Sequence, residues 1–402
     1  MTYYEKKFLC GAAVMAMTAS MLFGCAGDSA EETTAAGKET SAEAGAEKET
    51  EAKEDAEKKE TEAASGEKVK VTLLVTGSFG DKAFNDSAQA GMKKIESEMG
   101  DQVEVEMIEM GSDKTKFEGS MLDAAESDAD IIITGLWDMK EITEQVAQEF
   151  PEKKFIIFDT DVDYTLGDLS NVYSMSYKQN EGAFLAGVLA ASVTSSDMEF
   201  ANEDAVIGFV GAKDTAAVIN DSAVGYIEGA QFVNPDIKVL VSYVGSYVDS
   251  ATAKELALTQ YSSGADCVFV AAGPASVGVI EAGAESQKYV IGVDSDQALA
   301  YEGKDEANYI ISSAIKGVGD SLFSSIERAQ AGELPYGEHE TLGLAEGAVG
   351  LADNEIYNTV VPEDVRTAVD GAKEKLLAGE VTVDTAYGMD EETLKGIING
   401  AQ

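Results

Sequence analysis

Ile131-Ile132-Ile133, carried on to Thr134 and closed by Gly135, is a run whose three consecutive isoleucines leave no polar side chain to turn toward water. A strand wetted on one face alternates apolar and polar positions. A continuous run belongs instead in a parallel sheet covered on both faces. Working outward, Val69–Val75, Val103–Met107 and Phe155–Phe158 read as further strands, with helical stretches at 86–99, 114–127 and 139–150 between them. The strand-helix-strand alternation supplies the right-handed crossovers that such a sheet needs. The pattern then repeats, with strands at Ala205–Val210, Val239–Tyr243, Cys267–Ala271, Tyr289–Val293 and Tyr309–Ser313. The chain therefore reads as α/β, with two doubly wound parallel-sheet lobes. From residue 69 on it is longer than one hydrophobic core usually serves, which also favours two lobes.

Three crossings between the lobes are expected. One lies just before Tyr177-Lys178-Gln179, where a helix rich in small residues opens and packs closely on a sheet; one lies at Lys316-Gly317; and one lies in the glycine-rich segment 336–350. The predicted boundaries are 69–176 plus 317–344 for the N-terminal lobe and 177–316 plus 345–402 for the C-terminal lobe. Three hinge strands side by side would let the lobes close around a ligand.

Residues 1–24 read as a lipoprotein signal peptide. Lys6 and Lys7 precede the uncharged segment 8–23, and Gly24-Cys25 marks a lipidation site, with Cys25 the first residue of the mature chain. Residues 26–68 contain no aromatic residue and no Leu, Ile, Val or Met, so 25–68 reads as the lipidated cysteine and a disordered acidic tether. The expected location is the extracytoplasmic face of the cell membrane.

Of the formal net charge of −45, residues 26–68, with 14 acids and 6 lysines, hold −8 and Glu5, Lys6 and Lys7 hold +1, which leaves −38 to residues 69–402. That field repels phosphate backbones and excludes nucleic acid as a partner. Of the three cysteines, Cys10 leaves with the signal and Cys25 takes the lipid. Cys267 is left as a small core residue.

An enzyme is poorly supported. The single histidine, His339, sits in the polar stretch Gly337-Glu338-His339-Glu340 and reads as a solvated loop residue. No Ser-His-Asp set, glycine-rich nucleotide cradle or His/Cys metal cluster can be assembled, so no metal or cofactor is expected.

Strand ends carry more. In open α/β sheets, ligands bind beyond the carboxyl ends of the strands. After the first strand, the turn Gly77–Asp86 brings Phe84 and Asn85 to a helix start. There they can stack a flat ring and bond its edge, or serve as a hydrophobic staple with a helix cap at Asn85 or Asp86. Asp159 and Asp294 each follow an apolar strand; carboxylates facing a cleft suit a vicinal diol, and aspartates there are also routine turn residues.

The ordered set GDKAFND with DSAQAGM, PEKKFIIFD, QNEGAFLAGVLAASVT, IGFVGA and YVIGVDSDQ, together with Cys25, resembles the basic membrane lipoprotein family, the PnrA-like substrate-binding lipoproteins of ABC transporters. The likeness spans essentially the whole body from residue 69. It implies a type I periplasmic-binding-protein fold joined by a three-stranded hinge, a purine nucleoside in the interlobe cleft, ABC permease subunits as partners, and action as a monomer.

On the same resemblance, Phe84 and Tyr247 would stack on the base, and Asn85 would touch its edge. Asp159, Asp294 and Lys316 would hold the sugar, and Gly273 would let the backbone approach. Many members carry an acid before the glycine turn where this chain reads Val75-Thr76-Gly77-Ser78, which leaves base preference open. Two alternatives stay open as well: another ring-plus-polyol solute such as riboflavin, and a membrane-tethered small-molecule sensor without transport.

Overall fold

Twelve strands fall into two six-stranded sheets in a computed structural model, which describes residues 67–402. The signal segment, Cys25 and all but the last two residues of the acidic tether lie outside the described residues. The strands are β1 (Val69–Val75), β2 (Val103–Glu109), β3 (Ile131–Gly135), β4 (Lys154–Phe158), β5 (Val172–Tyr177), β6 (Val206–Gly211), β7 (Lys238–Tyr243), β8 (Cys267–Ala271), β9 (Tyr289–Asp294), β10 (Ile310–Lys316), β11 (His339–Leu342) and β12 (Val349–Leu351). The helices are α1 (Phe84–Met99), α2 (Phe117–Glu126), α3 (Lys140–Glu149), α4 (Gln179–Thr194), α5 (Ala217–Val233), α6 (Ser250–Ser262), α7 (Ser276–Ser286), α8 (Gln297–Ala300), α9 (Val318–Ala331), α10 (Glu355–Val360), α11 (Glu363–Leu377) and α12 (Glu391–Gly400).

The first sheet runs β11-β5-β4-β3-β1-β2 and the second β12-β10-β9-β8-β6-β7, so the lobes share one strand order. All pairings are parallel except β10 with β12. The apolar run in β3 is explained by its two neighbourhoods. Ile131 and Ile133 join the core beside α1, while Ile132 faces the separate cluster of Phe117, Met121 and Val146 under α2 and α3. Both faces are dry, so alternation has no purpose here.

Three strands were not legible beforehand: β5, β11 and β12. The crossing segment 336–350 contains β11, which pairs β5 in the first sheet, and the start of β12, which pairs β10 in the second. At the lobe junction Lys178 N donates to Leu342 O at 2.8 Å, and Gly317 N donates to Ala348 O at 2.8 Å. His339 is not a solvated loop residue. It opens β11, with Nδ1 at 2.9 Å from Ser174 Oγ and Nε2 at 3.0 Å from Ser176 Oγ, and burial lowers its pKa. Cys267 is fully buried in β8.

The small residues of α4 meet a helix rather than only a sheet. A Cβ at Gly187 would stand 2.1 Å from Tyr226 O, and one at Gly229 would stand 1.9 Å from Phe184 O, so α4 and α5 touch backbone to backbone. The residues after Gly379 also pack here. Asn180 donates its amide to the carbonyls of Val383 and Asp384, and Val239 N donates to Ala401 O at 2.7 Å.

Candidate functional site

Because both sheets carry the order in which the first strand of each half lies inside the sheet, each has a switch point between β1 and β3 or between β6 and β8. In open α/β sheets the loops at such points part, and ligands bind there. Phe84, the first residue of α1, follows the loop after β1. Its ring lies 5.6 Å from that of Phe158 at an interplanar angle of 29°, which fixes the plane it offers. Asp81, rather than Asn85 or Asp86, caps this helix. Its carboxylate accepts from the backbone N–H groups of Ala83, Asn85 and Asp86. Asp86 reaches back to accept from Gly80 N and Lys82 N.

Asn85 is buried, and its Nδ2 donates to the carbonyls of Thr76 and Ser78 at 3.2 Å each. Both partners are acceptors, so the amide orientation is fixed and only Oδ1 remains for another partner.

Asp159 and Asp294 occupy matching places in the two lobes, at the ends of β4 and β9, and both have left-handed backbones, with φ +59° and +66°. Non-glycine residues adopt this conformation at a cost of about 1–3 kcal/mol, tolerated best by Asp and Asn. Asp159 pairs with Lys316, the last residue of β10, and the Asp294 charge also acts on that lysine.

Lys316 Nζ donates to Asp159 Oδ1 at 2.8 Å, with each side chain 8% exposed. Nζ also lies 5.7 Å from the ring centres of Phe84 and Tyr177. Burial works against the ammonium, but Asp159 and Asp294 outweigh it and raise the Lys316 pKa. Burial pushes Asp294 up to about 6; Lys316 pulls it down, and Asp159 and Asp81 push it further up.

Tyr247 comes from the loop after β7. Burial raises its hydroxyl pKa; Lys316 pulls it down, and Asp159, Asp294 and Asp138 push it further up. Gly273 follows β8 at φ +56°, and a Cβ there would lie 3.5 Å from Tyr247 Cδ1. The left-handed backbone, not crowding, calls for glycine. Tyr247 O accepts from Ala275 N at 2.8 Å, which ties the two loops together.

Phe84, Asp159, Asp294, Lys316 and Tyr247 therefore form one group, with Gly273 against Tyr247 and Asn85 bracing the loop beneath Phe84. Carboxylates can accept hydrogen bonds from hydroxyls, and their negative charge repels phosphates.

Further residues escaped the sequence reading. Ser295 Oγ donates to Lys82 O at 2.8 Å, and Lys82 Nζ lies 4.0 Å from the centre of the Tyr301 ring, so the loop before α1 is bridged to the other lobe at the lip. Trp137, the only tryptophan, follows β3 and is 70% exposed. Lys82→Ala removes the cation-π contact, worth about 1 kcal/mol, from the bridged form. Its dissociation rate for a bound solute is expected to rise roughly fivefold in stopped-flow records of Trp137 fluorescence. An unchanged rate would show that the bridge does not hold the lobes.

The sequence profile described as "ABC transporter substrate-binding protein PnrA-like" matches residues 68–383. Basic membrane protein A of Borreliella afzelii is 30% identical over 333 residues, 82% of this chain and 95% of its own length. The ABC transporter nucleoside-binding protein BmpA of Lactococcus lactis subsp. cremoris is 32% identical, over 79% of this chain and 90% of its own. In fold, the chain superimposes on a crystal structure of an ABC transporter solute-binding protein from Aeropyrum pernix K1, with a TM-score of 0.71 and 24% identity over 83% of this chain and 97% of that one.

Proposed function

Since the chain belongs to the PnrA-like family of ABC transporter substrate-binding proteins, which bind solutes and are not enzymes, we propose that its ligand is a purine nucleoside, captured in the crevice and delivered to a permease. The observation that carries this reading is the pair of matched strand-end carboxylates, Asp159 and Asp294, on either side of Lys316 and next to two aromatic rings. Carboxylates accept two hydroxyl hydrogen bonds each, as a ribose diol offers, and Phe84 and Tyr247 give a flat base two faces to stack on. The nucleoside-binding relative from Lactococcus supports the same ligand class.

Asn85 spends both amide hydrogens on its own loop, so only its oxygen is free to meet the base. Recognition then rests on stacking and on the sugar. Isothermal titration is expected to give adenosine, guanosine and inosine dissociation constants within roughly tenfold of one another, with no binding of the corresponding monophosphates. Stacking at about 1–3 kcal/mol per face with charge-assisted bonds of about 1.5–3 kcal/mol supports micromolar or tighter binding after association costs. Absence of heat with every purine nucleoside would refute the ligand class, and a riboflavin signal in its place would redirect it.

The lobe assignment of 69–176 with 317–344 against 177–316 with 345–402 is supported by the membership of β11 in the first sheet and β12 in the second. A lipid on Cys25 would hold the protein at the extracytoplasmic membrane face. Mass spectrometry of membrane-extracted protein tests it, and a Cys25 without diacylglycerol would rule it out.

A further inference from the structure

The segment following α11 returns to the hinge rather than trailing away from it. Asp221, a fully buried carboxylate on α5, is the hub. Its Oδ1 accepts from Thr385 Oγ1 at 2.6 Å and from Ala386 N at 2.8 Å, and its Oδ2 accepts from Gln179 Nε2 at 2.6 Å. Gln179 is the first residue of α4, next to the crossing out of β5. Asp384 N donates to Glu228 Oε2 at 3.0 Å and Tyr387 N to Thr385 Oγ1 at 3.2 Å, so the chain is fastened on both sides of the hub.

Two groups at this junction are left with bonding capacity. Gln179 is buried, and its Oε1 has no hydrogen-bond partner. An orphaned buried amide oxygen calls for a donor. Tyr387 is half exposed although its backbone is tied down. Burial raises its hydroxyl pKa to about 12, and Asp159, Lys316 and Asp221 act on the group along with Gln179. Ala386, its chain neighbour, is bonded to the Asp221 that also holds Gln179, and two residues before Gln179 the Tyr177 ring centre lies 5.7 Å from Lys316 Nζ, which puts Tyr387 on the hinge side of the site.

We propose that the C-terminal segment completes the solute pocket: Tyr387 closes its hinge end, and the Tyr387 hydroxyl with Gln179 Oε1 takes a hydroxyl of the polyol. The proposal rests on the nucleoside reading. The strap explains why a chain already complete in both sheets at β12 continues across α4 and α5. A tyrosine carried on a strap anchored at the hinge stays with the pocket while the lobes move.

The test compares adenosine titrations of the wild type, Tyr387→Ala and Tyr387→Phe, with the apo melting temperature of each. Tyr387→Ala is expected to weaken binding roughly tenfold or more and Tyr387→Phe roughly threefold to tenfold, the latter being the share of one hydrogen bond. Apo melting temperatures are expected within about 2 °C of one another, since the side chain is half exposed. Binding by Tyr387→Ala within twofold of wild type would overturn the proposal. Full affinity in Tyr387→Phe would do so for the hydroxyl, and a matching fall in apo stability would make the residue structural. A wild type that takes no nucleoside defeats the ligand reading itself, a result distinct from any of these.

Discussion

Asp294→Asn is expected to make the apo protein more stable at neutral pH and nearly unable to bind a nucleoside. The wild-type carboxyl has its pKa raised from 3.8 to about 6, chiefly by burial, so at pH 7 the fold holds an anion where a neutral group would sit more comfortably. For an acid whose folded pKa lies above its unfolded one, the stabilising contribution is complete below the unfolded value and is lost as pH rises through the folded one. The advantage of Asn is therefore full above about pH 6 and vanishes near pH 4. A shift of this size corresponds to about 1–3 kcal/mol after allowance for partial exposure, or roughly 2–6 °C in melting temperature. Asn also tolerates the φ of +66° that Asp294 adopts.

Binding moves the opposite way. The charged carboxylate accepts two hydroxyls at about 1.5–3 kcal/mol each, so its loss is expected to weaken adenosine at least a hundredfold. Wild-type affinity is expected to fall as pH drops below 6, with Asn removing that slope. Calorimetric melts from pH 4 to 8 and titrations over the same range decide it. A variant less stable than wild type at pH 7 would mean that the charge is well solvated.

That conflict between stability and function also explains which parts of the molecule could be read from its residues. The sheet strands Val69–Val75, Ile131–Gly135 and Cys267–Ala271 advertise themselves, because burial on both faces leaves a continuous apolar signature. Val172–Tyr177 mixes Ser174 and Ser176 with apolar residues, and His339–Leu342 is too short and polar to signal a strand. These two strands pair with each other across more than 160 positions, a partnership that no local pattern announces.

Asp159 and Asp294 stood out because they follow apolar strands, whereas Lys316 was marked only as a lobe crossing and took its site role from the family resemblance. What the residues did not convey is their mutual geometry, the left-handed turn common to both aspartates. Tyr387 was invisible for a different reason. It reaches the cleft only through Asp221, more than 160 positions earlier, and a contact of that kind leaves no local pattern. Asp81 was missed as the helix cap because it precedes the helix by a turn of irregular chain.

Lys316→Met should be the most damaging single change in the crevice. Met replaces the stem of the side chain but not its charge, which leaves Asp159 and Asp294 facing each other without the cation that offsets their burial. Removing one partner of a buried ion pair costs about 3–5 kcal/mol, more than the pair itself contributes over an apolar substitute. Without the ammonium that pulls it down, Asp294 is pushed further above its present value of about 6, so the variant's stability is lost as pH rises through that folded value and regained on acidification. The melting temperature is accordingly expected to lie well below wild type at pH 8 and to approach it by about pH 4–5. Adding Asp159→Asn to Lys316→Met should recover part of the loss at pH 8, since one carboxylate is easier to accommodate than two. A deficit that stays constant with pH would assign Lys316 a packing role and take away the charge argument on which the diol site depends. No nucleoside binding is expected at any pH, because the fold can shed the repulsion only by protonating the acceptors that the ligand's hydroxyls require.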